Sequence, residues 1–515
     1  MKRLLCLLLC TVLVLGLCAC GGETAYIPTG DALEYDDDYT GPTATTPPDT
    51  TEQTLTLTYY PDRSMNPLEC TDYTNRTLFS LIYQSLFTVD RDYAVQPQLC
   101  KTFRRSEDMK TYEFRIENAT FGDGTPLTAE DVAATLNAAR GSTVYSGRFG
   151  HIAEISAAGD MVTVSLSTPF ENLPILLDIP ILKASEVGAA FPSGTGPYVL
   201  DLSAQPPVLR RNTNWWCSAD MVVTAPAIKL TAAQSPTGIR DQFEFSDLSL
   251  VCADPGSDRY ADYRCDYELW DCENHIFLYL ACNLNSEVFS IPQVRKALTF
   301  AIDRDTIATE FYRGFAYSAT LPASPQSPYY SDVLASKYAY NGGAAFAQAV
   351  SDASVMGKPV IFLANRDDSL RLRVARSIGQ TLKSAGLDVQ MKELDTAAYT
   401  RALSRNEYDL YLGQTKLSPN MDLTPFFATK GALSYGGLND VALYTLCTES
   451  FANYGNYYTL HQKVMDDGRL VPILFRSYAV YATRGLLTGL TPARDNVFYY
   501  SMDKTMEKAQ QDHAG

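Results

Sequence analysis

The chain has 515 residues, 46% of them hydrophobic, with 42 Lys plus Arg against 59 Asp plus Glu and a formal charge of −17. That acidic balance argues against nucleic acid as a partner, because a phosphate backbone calls for a cationic surface. The length exceeds what one hydrophobic core supports and predicts two or three domains.

Met1-Lys2-Arg3 precedes an almost unbroken apolar run from Leu4 to Cys18, the charged and apolar regions of an export signal and too short to span a bilayer. The run ends Leu17-Cys18-Ala19-Cys20-Gly21, which resembles the lipobox of bacterial lipoproteins. The resemblance implies a signal peptide over 1–19, cleavage before Cys20, and a lipid on the Cys20 thiol that holds the protein on the outer face of the cell membrane. Loss of Lys2 and Arg3 with the signal takes the charge from −17 to −19. Residues 20–53 are rich in Gly, Pro, Thr and acid, a composition that buries too little apolar area to offset ordering entropy and reads as a flexible linker.

Cys6, Cys10 and Cys18 leave with the signal and Cys20 is the anchor, so cysteines 70, 100, 217, 252, 265, 272, 282 and 447 remain. An exported chain permits disulfides, but eight cysteines allow many pairings and free thiols stay open. With no CxxC pair and only His275 near the cluster from Cys252 to Cys282, no metal or other cofactor is expected.

The folded part opens with an alternating strand, Thr54 to Tyr60, ended by Pro61; apolar residues at helical spacing then predict a helix over Asn75 to Phe87. Tyr112 to Ile116 alternates as a strand. Thr128 with Asp131 three residues on is a capping pattern for a helix running toward Gly141, and Ile152 to Thr168 reads as a hairpin. Ser193-Gly-Thr-Gly-Pro-Tyr198 is a glycine turn before a strand; it lacks the Lys-Ser/Thr ending and the helix of a phosphate loop. One long helix is predicted over Pro292 to Arg313, stopped by Gly314. Strand Val360 to Leu363, helix Ser369 to Ala385, strand Leu387 to Met391, helix Thr396 to Ser404 and strand Tyr408 to Leu412 make a βαβαβ pattern, which predicts a parallel sheet. Ligands of such sheets bind at the carboxyl ends of strands, here Gly413-Gln414-Thr415-Lys416.

Four segments resemble the peptide-type solute-binding proteins of ABC importers, family 5, which includes oligopeptide, dipeptide and nickel binders. They are Phe121-Gly-Asp-Gly-Thr-Pro-Leu-Thr-Ala-Glu-Asp-Val132, Gly194-Thr-Gly-Pro-Tyr198, Arg211-Asn-Thr-Asn-Trp-Trp216, and Asn283 through Pro292-Gln-Val-Arg-Lys-Ala-Leu298 to Ala301-Ile-Asp-Arg304, in the family's order. The resemblance implies an α/β, two-lobed periplasmic-binding-protein-like fold of type II with a hinge between the lobes. Lobe I would comprise 54–65, 194–285 and 485–515, with an extra subdomain, 66–193, inserted in it, and lobe II would be 286–484. It further implies a monomeric, non-enzymatic binder that closes on a peptide or similar small polar solute and serves ABC permease subunits.

Tyr60, Asp62 and Arg63 follow the opening strand where family members contact ligand backbone, and Arg63 could hold a carboxylate in bidentate fashion. Asn283, Tyr411, Gln414, Lys416 and Asp422 complete the implied ligand-binding set. Where peptide binders carry a Trp and then an Asp for the peptide's α-amino group, this chain has Gln414 and Leu417, with Asp422 five residues on. A sensing receptor without transport shares all these features. A surface hydrolase is the enzymatic alternative, but there is no GxSxG, HExxH or Walker A motif, and the histidines are only four, at 151, 275, 461 and 513.

Overall fold

The first described strand, Leu55–Tyr59, pairs in parallel with a strand far along the chain, Ala227–Ala232, in the register Leu55 to Ile228 through Tyr59 to Ala232. The computed structural model describes residues 55–257, 260 and 262–502, so the readings of the export signal, Cys20, the linker and the end of 485–515 lie outside the described residues. Val208–Arg211 and Tyr198–Asp201 complete a four-stranded sheet behind Ala227–Ala232.

The chain between these strands makes a long excursion with its own sheet. Cys100–Arg105, Thr111–Ile116, Met161–Leu166 and Ile152–Ala158 pair antiparallel in that spatial order. Helix Ala129–Ala139 packs on this sheet through buried Val132, Leu136 and Ala139. Its start is fixed by the reciprocal cap visible in the sequence: Asp131 N donates to Thr128 Oγ1 at 3.3 Å and Thr128 N donates to Asp131 Oδ2 at 2.9 Å.

The predicted helix over Asn75 to Phe87 is instead two single turns, Tyr73–Arg76 and Phe79–Ile82, after which the backbone turns extended at Tyr83. The glycine turn meets the chain where the second of these turns ends. Gly196 N donates to Ile82 O at 2.9 Å, and a Cβ on Gly194 would stand 2.1 Å from the same oxygen. Gly194 and Gly196 therefore permit a close approach of two backbones.

Among the described residues, the largest sheet has seven strands. Pro359–Asn365 pairs in parallel with Asp388–Leu394 and with Leu410–Lys416, and helices Ser369–Ser384 and Thr396–Ser404 connect them as the βαβαβ pattern predicts. The sheet is mixed rather than parallel, however, because Leu410–Lys416 runs antiparallel to the long strand Tyr267–Cys282, which in turn is antiparallel to Leu470–Thr483. The register of that long pair shifts between Glu273 and Phe277, where His275 has a φ of 58°. A bulge at this point bends the ribbon.

The helix predicted over Pro292 to Arg313 is also broken. Pro292–Leu298 ends in a short 3₁₀ turn, and Asp303 caps a new turn by accepting from Thr306 N at 3.1 Å. The break frees carbonyls that buried Arg304 uses: its Nη1 donates to Thr299 O and Ile302 O, both at 3.1 Å, and its Nε to Pro472 O at 2.9 Å. Cys70, Cys252, Cys265, Cys272, Cys282 and Cys447 are free thiols.

Candidate functional site

A cavity of about 490 Å³ opens at the end of Leu410–Lys416, within the size range of small-ligand sites. Gln414, Lys416 and Asp422 line it together with Arg76, from the turn Tyr73–Arg76, Arg148, from the 3₁₀ turn Ser146–Phe149, and Asp495 from the C-terminal segment. Leu417 also lines it.

The polar groups are organised around two carboxylates. Lys416 Nζ donates to Asp495, and Arg76 Nη2 lies 3.9 Å from the same carboxylate. Burial alone would raise the Asp495 pKa, but Lys416 and then Arg76 hold it below the usual carboxylate range. Arg148 pairs with Asp178 and also donates to Leu176 O at 3.1 Å. Arg494 approaches Asp178 from another direction, at 3.2 Å. Burial opposes ionisation of Asp178 too, and Arg148 followed by Arg494 overcomes it and lowers the pKa. A second cavity of about 100 Å³ shares Arg76, Arg148 and Asp495 with the first and is also lined by Gln84, Gln98 and Arg494.

Asp422 accepts from Thr424 N at 2.7 Å and from Thr424 Oγ1 at 2.9 Å, and burial raises its pKa despite these bonds and the nearby His151. Gln414 Oε1 accepts from Arg476 Nη1 at 3.4 Å, while Arg476 Nη2 is bound to both oxygens of Asp254 at 2.8 and 2.9 Å.

The other residues singled out from sequence lie outside the lining of this cavity. Tyr60 is buried, its backbone N donating to Asn75 Oδ1 at 2.7 Å. Arg63 lies 3.9 Å over the Tyr60 ring and pairs with Asp72, and Asp62 is exposed beside it. Asn283 donates to Tyr408 O at 2.7 Å and organises the turn into Asn285. Tyr411 packs among rings, 5.2 Å from Tyr408 and 5.9 Å from Tyr279. Sequence reasoning missed Arg76, Arg148, Arg494 and Asp495. They sit on single turns and irregular loops, which have no periodicity to mark them.

A family model, the middle region of the bacterial extracellular solute-binding proteins, family 5, matches residues 94–433. The chain belongs to this family. Among curated relatives, the glutathione-binding protein GsiB of Escherichia coli K12 is 25% identical over 293 residues, which is 52% of this chain and 55% of the relative. The chain thus spans about half the length of the curated relatives it matches. The solved substrate-binding protein CtaP of Listeria monocytogenes is 19% identical with a TM-score of 0.71, covering 87% of this chain and 99% of that one. AppA of Bacillus subtilis, solved with a nonapeptide, is 19% identical with a TM-score of 0.61, covering 88% and 99%. These likenesses show the fold: two lobes of mixed α/β structure, as in periplasmic binding proteins. Family 5 proteins are extracytoplasmic, bind peptides or other small molecules and deliver them to ABC permeases. No helix among the described residues is long and apolar enough to cross a membrane.

Proposed function

We propose that this family 5 protein is the lipid-anchored substrate-binding component of an ABC importer, held at the membrane by Cys20, and that it closes two lobes over one peptide or similar small polar solute. Lobe I in this reading comprises 54–65, 194–285 and 485–515 with 66–193 inserted, lobe II comprises 286–484, and the protein acts as a monomer without catalysis. The observation that carries it is the cavity of about 490 Å³, bordered by Arg76 and Arg148 from the insert, Gln414, Lys416 and Asp422 from lobe II and Asp495 from lobe I. Such a site, assembled from both lobes, is completed on closure, the hinge motion by which binding proteins enclose ligands. Gln414, Lys416 and Asp422 are the ligand contacts retained from the sequence-derived set.

Binding is favoured over hydrolysis by the surroundings of His275 as well. His275 Nε2 is engaged by Tyr93 OH at 2.9 Å and by Arg494 Nε at 3.2 Å, with Glu273 Oε1 at 3.9 Å, so this nitrogen is held by a phenol and a guanidinium rather than by the nucleophile a triad requires. Peptide ligands agree with the glutathione and nonapeptide named for two relatives.

A ligand that binds only the folded state raises its stability. A thermal-shift screen of the mature protein against peptide, sugar and metal libraries is expected to give shifts with peptides; shifts confined to another class would reject the peptide reading. The Cys20→Ala protein should leave the membrane fraction, and continued membrane association would count against the anchor.

A further inference from the structure

Four cations, Arg76, Arg148, Lys416 and Arg494, meet two carboxylates, Asp495 and Asp178, at the junction of the two cavities. Each carboxylate is shared by two cations, so half of the positive charge has no counter-ion within the set. Among the described residues, the other nearby acids, Asp422, Glu273 and Asp90, form no ion pair with these four cations. Asp422 turns its two oxygens to Thr424 N at 2.7 Å and Thr424 Oγ1 at 2.9 Å rather than to any of the four. Burial lifts Glu273 to about 7, against Ser324, Arg494 and Tyr93, so it is only partly ionised at neutral pH. His275 is held neutral by burial and by Arg494 and Lys416.

The excess is also a departure from the chain as a whole, which carries −17. Arg494 is only 8% exposed, and its Nη1 has no hydrogen-bond partner although Nε and Nη2 are engaged. An enclosed guanidinium with an unused donor, lining a cavity, calls for an acceptor from outside the chain. The smaller cavity adds Gln84 and Gln98, both almost fully buried, which suit a compact polar group.

We propose that the ligand is an anion of peptide size bearing at least two negatively charged groups, one received between Lys416 and Arg148 in the larger cavity and one by Arg76 and Arg494 around the smaller. Carboxylates match the planar donor forks of these arginines. The proposal rests on the reading of the cleft as the ligand site and narrows its ligand class. It also gives a chemical sense to Leu417: an acidic side chain at that position would neutralise the charge on which the site depends.

The test uses the mature wild-type protein, titrated calorimetrically at pH 7 and low salt with Glu-Ala-Glu, Ala-Ala-Ala, Lys-Ala-Lys and citrate. Glu-Ala-Glu is expected to bind at least tenfold more tightly than Ala-Ala-Ala, Lys-Ala-Lys least, with affinity falling as salt rises. Arg148→Gln should weaken Glu-Ala-Glu at least tenfold with little effect on Ala-Ala-Ala, and Arg148→Lys should recover part of the loss. Equal or tighter binding of Ala-Ala-Ala or Lys-Ala-Lys overturns the anionic ligand while leaving the peptide reading intact. Binding of citrate with no tripeptide supports the anion and rejects the peptide, and silence from all four probes overturns both.

Discussion

Glu273 shows how a single buried residue couples stability to pH. It takes hydrogen bonds from Ser324 Oγ at 3.0 Å and Tyr93 OH at 3.3 Å, and burial raises its pKa to about 7. Because the folded state holds this proton above the pH at which the unfolded chain, near the ordinary glutamate value of about 4.3, releases it, the group's contribution to stability falls as pH rises from about 4.5 to 7. The full shift corresponds to about 3 kcal/mol. His461 has the opposite sign: burial lowers its pKa to about 3, so the folded state loses stability as pH falls through and below about 6.5. Comparing melting temperatures of wild type and Glu273→Gln from pH 5 to 8 isolates the first effect. The wild type should lose stability across that range relative to the variant, and parallel profiles would show that Glu273 titrates normally. Gly194 offers a second residue-scale outcome: with a Cβ 2.1 Å from Ile82 O, Gly194→Ala is expected to cost about 3 kcal/mol in a denaturant titration.

At the scale of elements, legibility followed the range of the forces involved. The helix Ala129–Ala139 was readable because its cap, Thr128 with Asp131, is local, and Thr396–Ser404 likewise begins at a side-chain cap, Asp395. The two segments read as continuous helices are shaped by partners distant in sequence. Gly194 and Gly196 press on Ile82, and Arg304 reaches Pro472 O. No window of local residues contains that information. Arg304 carries the consequence most plainly, since burial lowers its pKa to about 10 and its bonds are to carbonyls and Thr299 Oγ1 rather than to acids. Arg304→Met removes the donors of several buried acceptors and is expected to destabilise by about 3 kcal/mol, measured as a lowered denaturation midpoint; an unchanged midpoint would mean that the break is set by Asp303 alone. The sheet was half legible for the same reason. The βαβαβ pattern is local, whereas the antiparallel strands Tyr267–Cys282 and Leu470–Thr483 flank it from far away in the chain.

For the whole molecule, the candidate cleft was legible where it coincides with a strand end and, through the family resemblance, at Asp422. Gln414 and Lys416 follow from the rule that ligands sit beyond the carboxyl ends of strands, while Arg76, Arg148 and Asp495 reach the cavity from segments separated by more than 300 residues of sequence in the extreme case. Their meeting is a property of the tertiary fold. If Lys416, Asp495 and Arg76 bridge the two lobes, closure is electrostatically coupled to occupancy, and an anion that competes for Lys416 and Arg76 replaces an internal pair with a ligand contact. In the unliganded protein, Asp495→Asn removes one carboxylate from the set and should tighten Glu-Ala-Glu binding, whereas weaker binding would indicate that Asp495 positions the cations.

The most direct test of the binding account is a calorimetric titration of the mature protein with Glu-Ala-Glu, beside the Lys416→Gln protein. One site per chain, with affinity reduced at least tenfold by Lys416→Gln, is the expected result; binding that is indifferent to Lys416, or that occurs at more than one equivalent site, would contradict a single ligand site in the cleft.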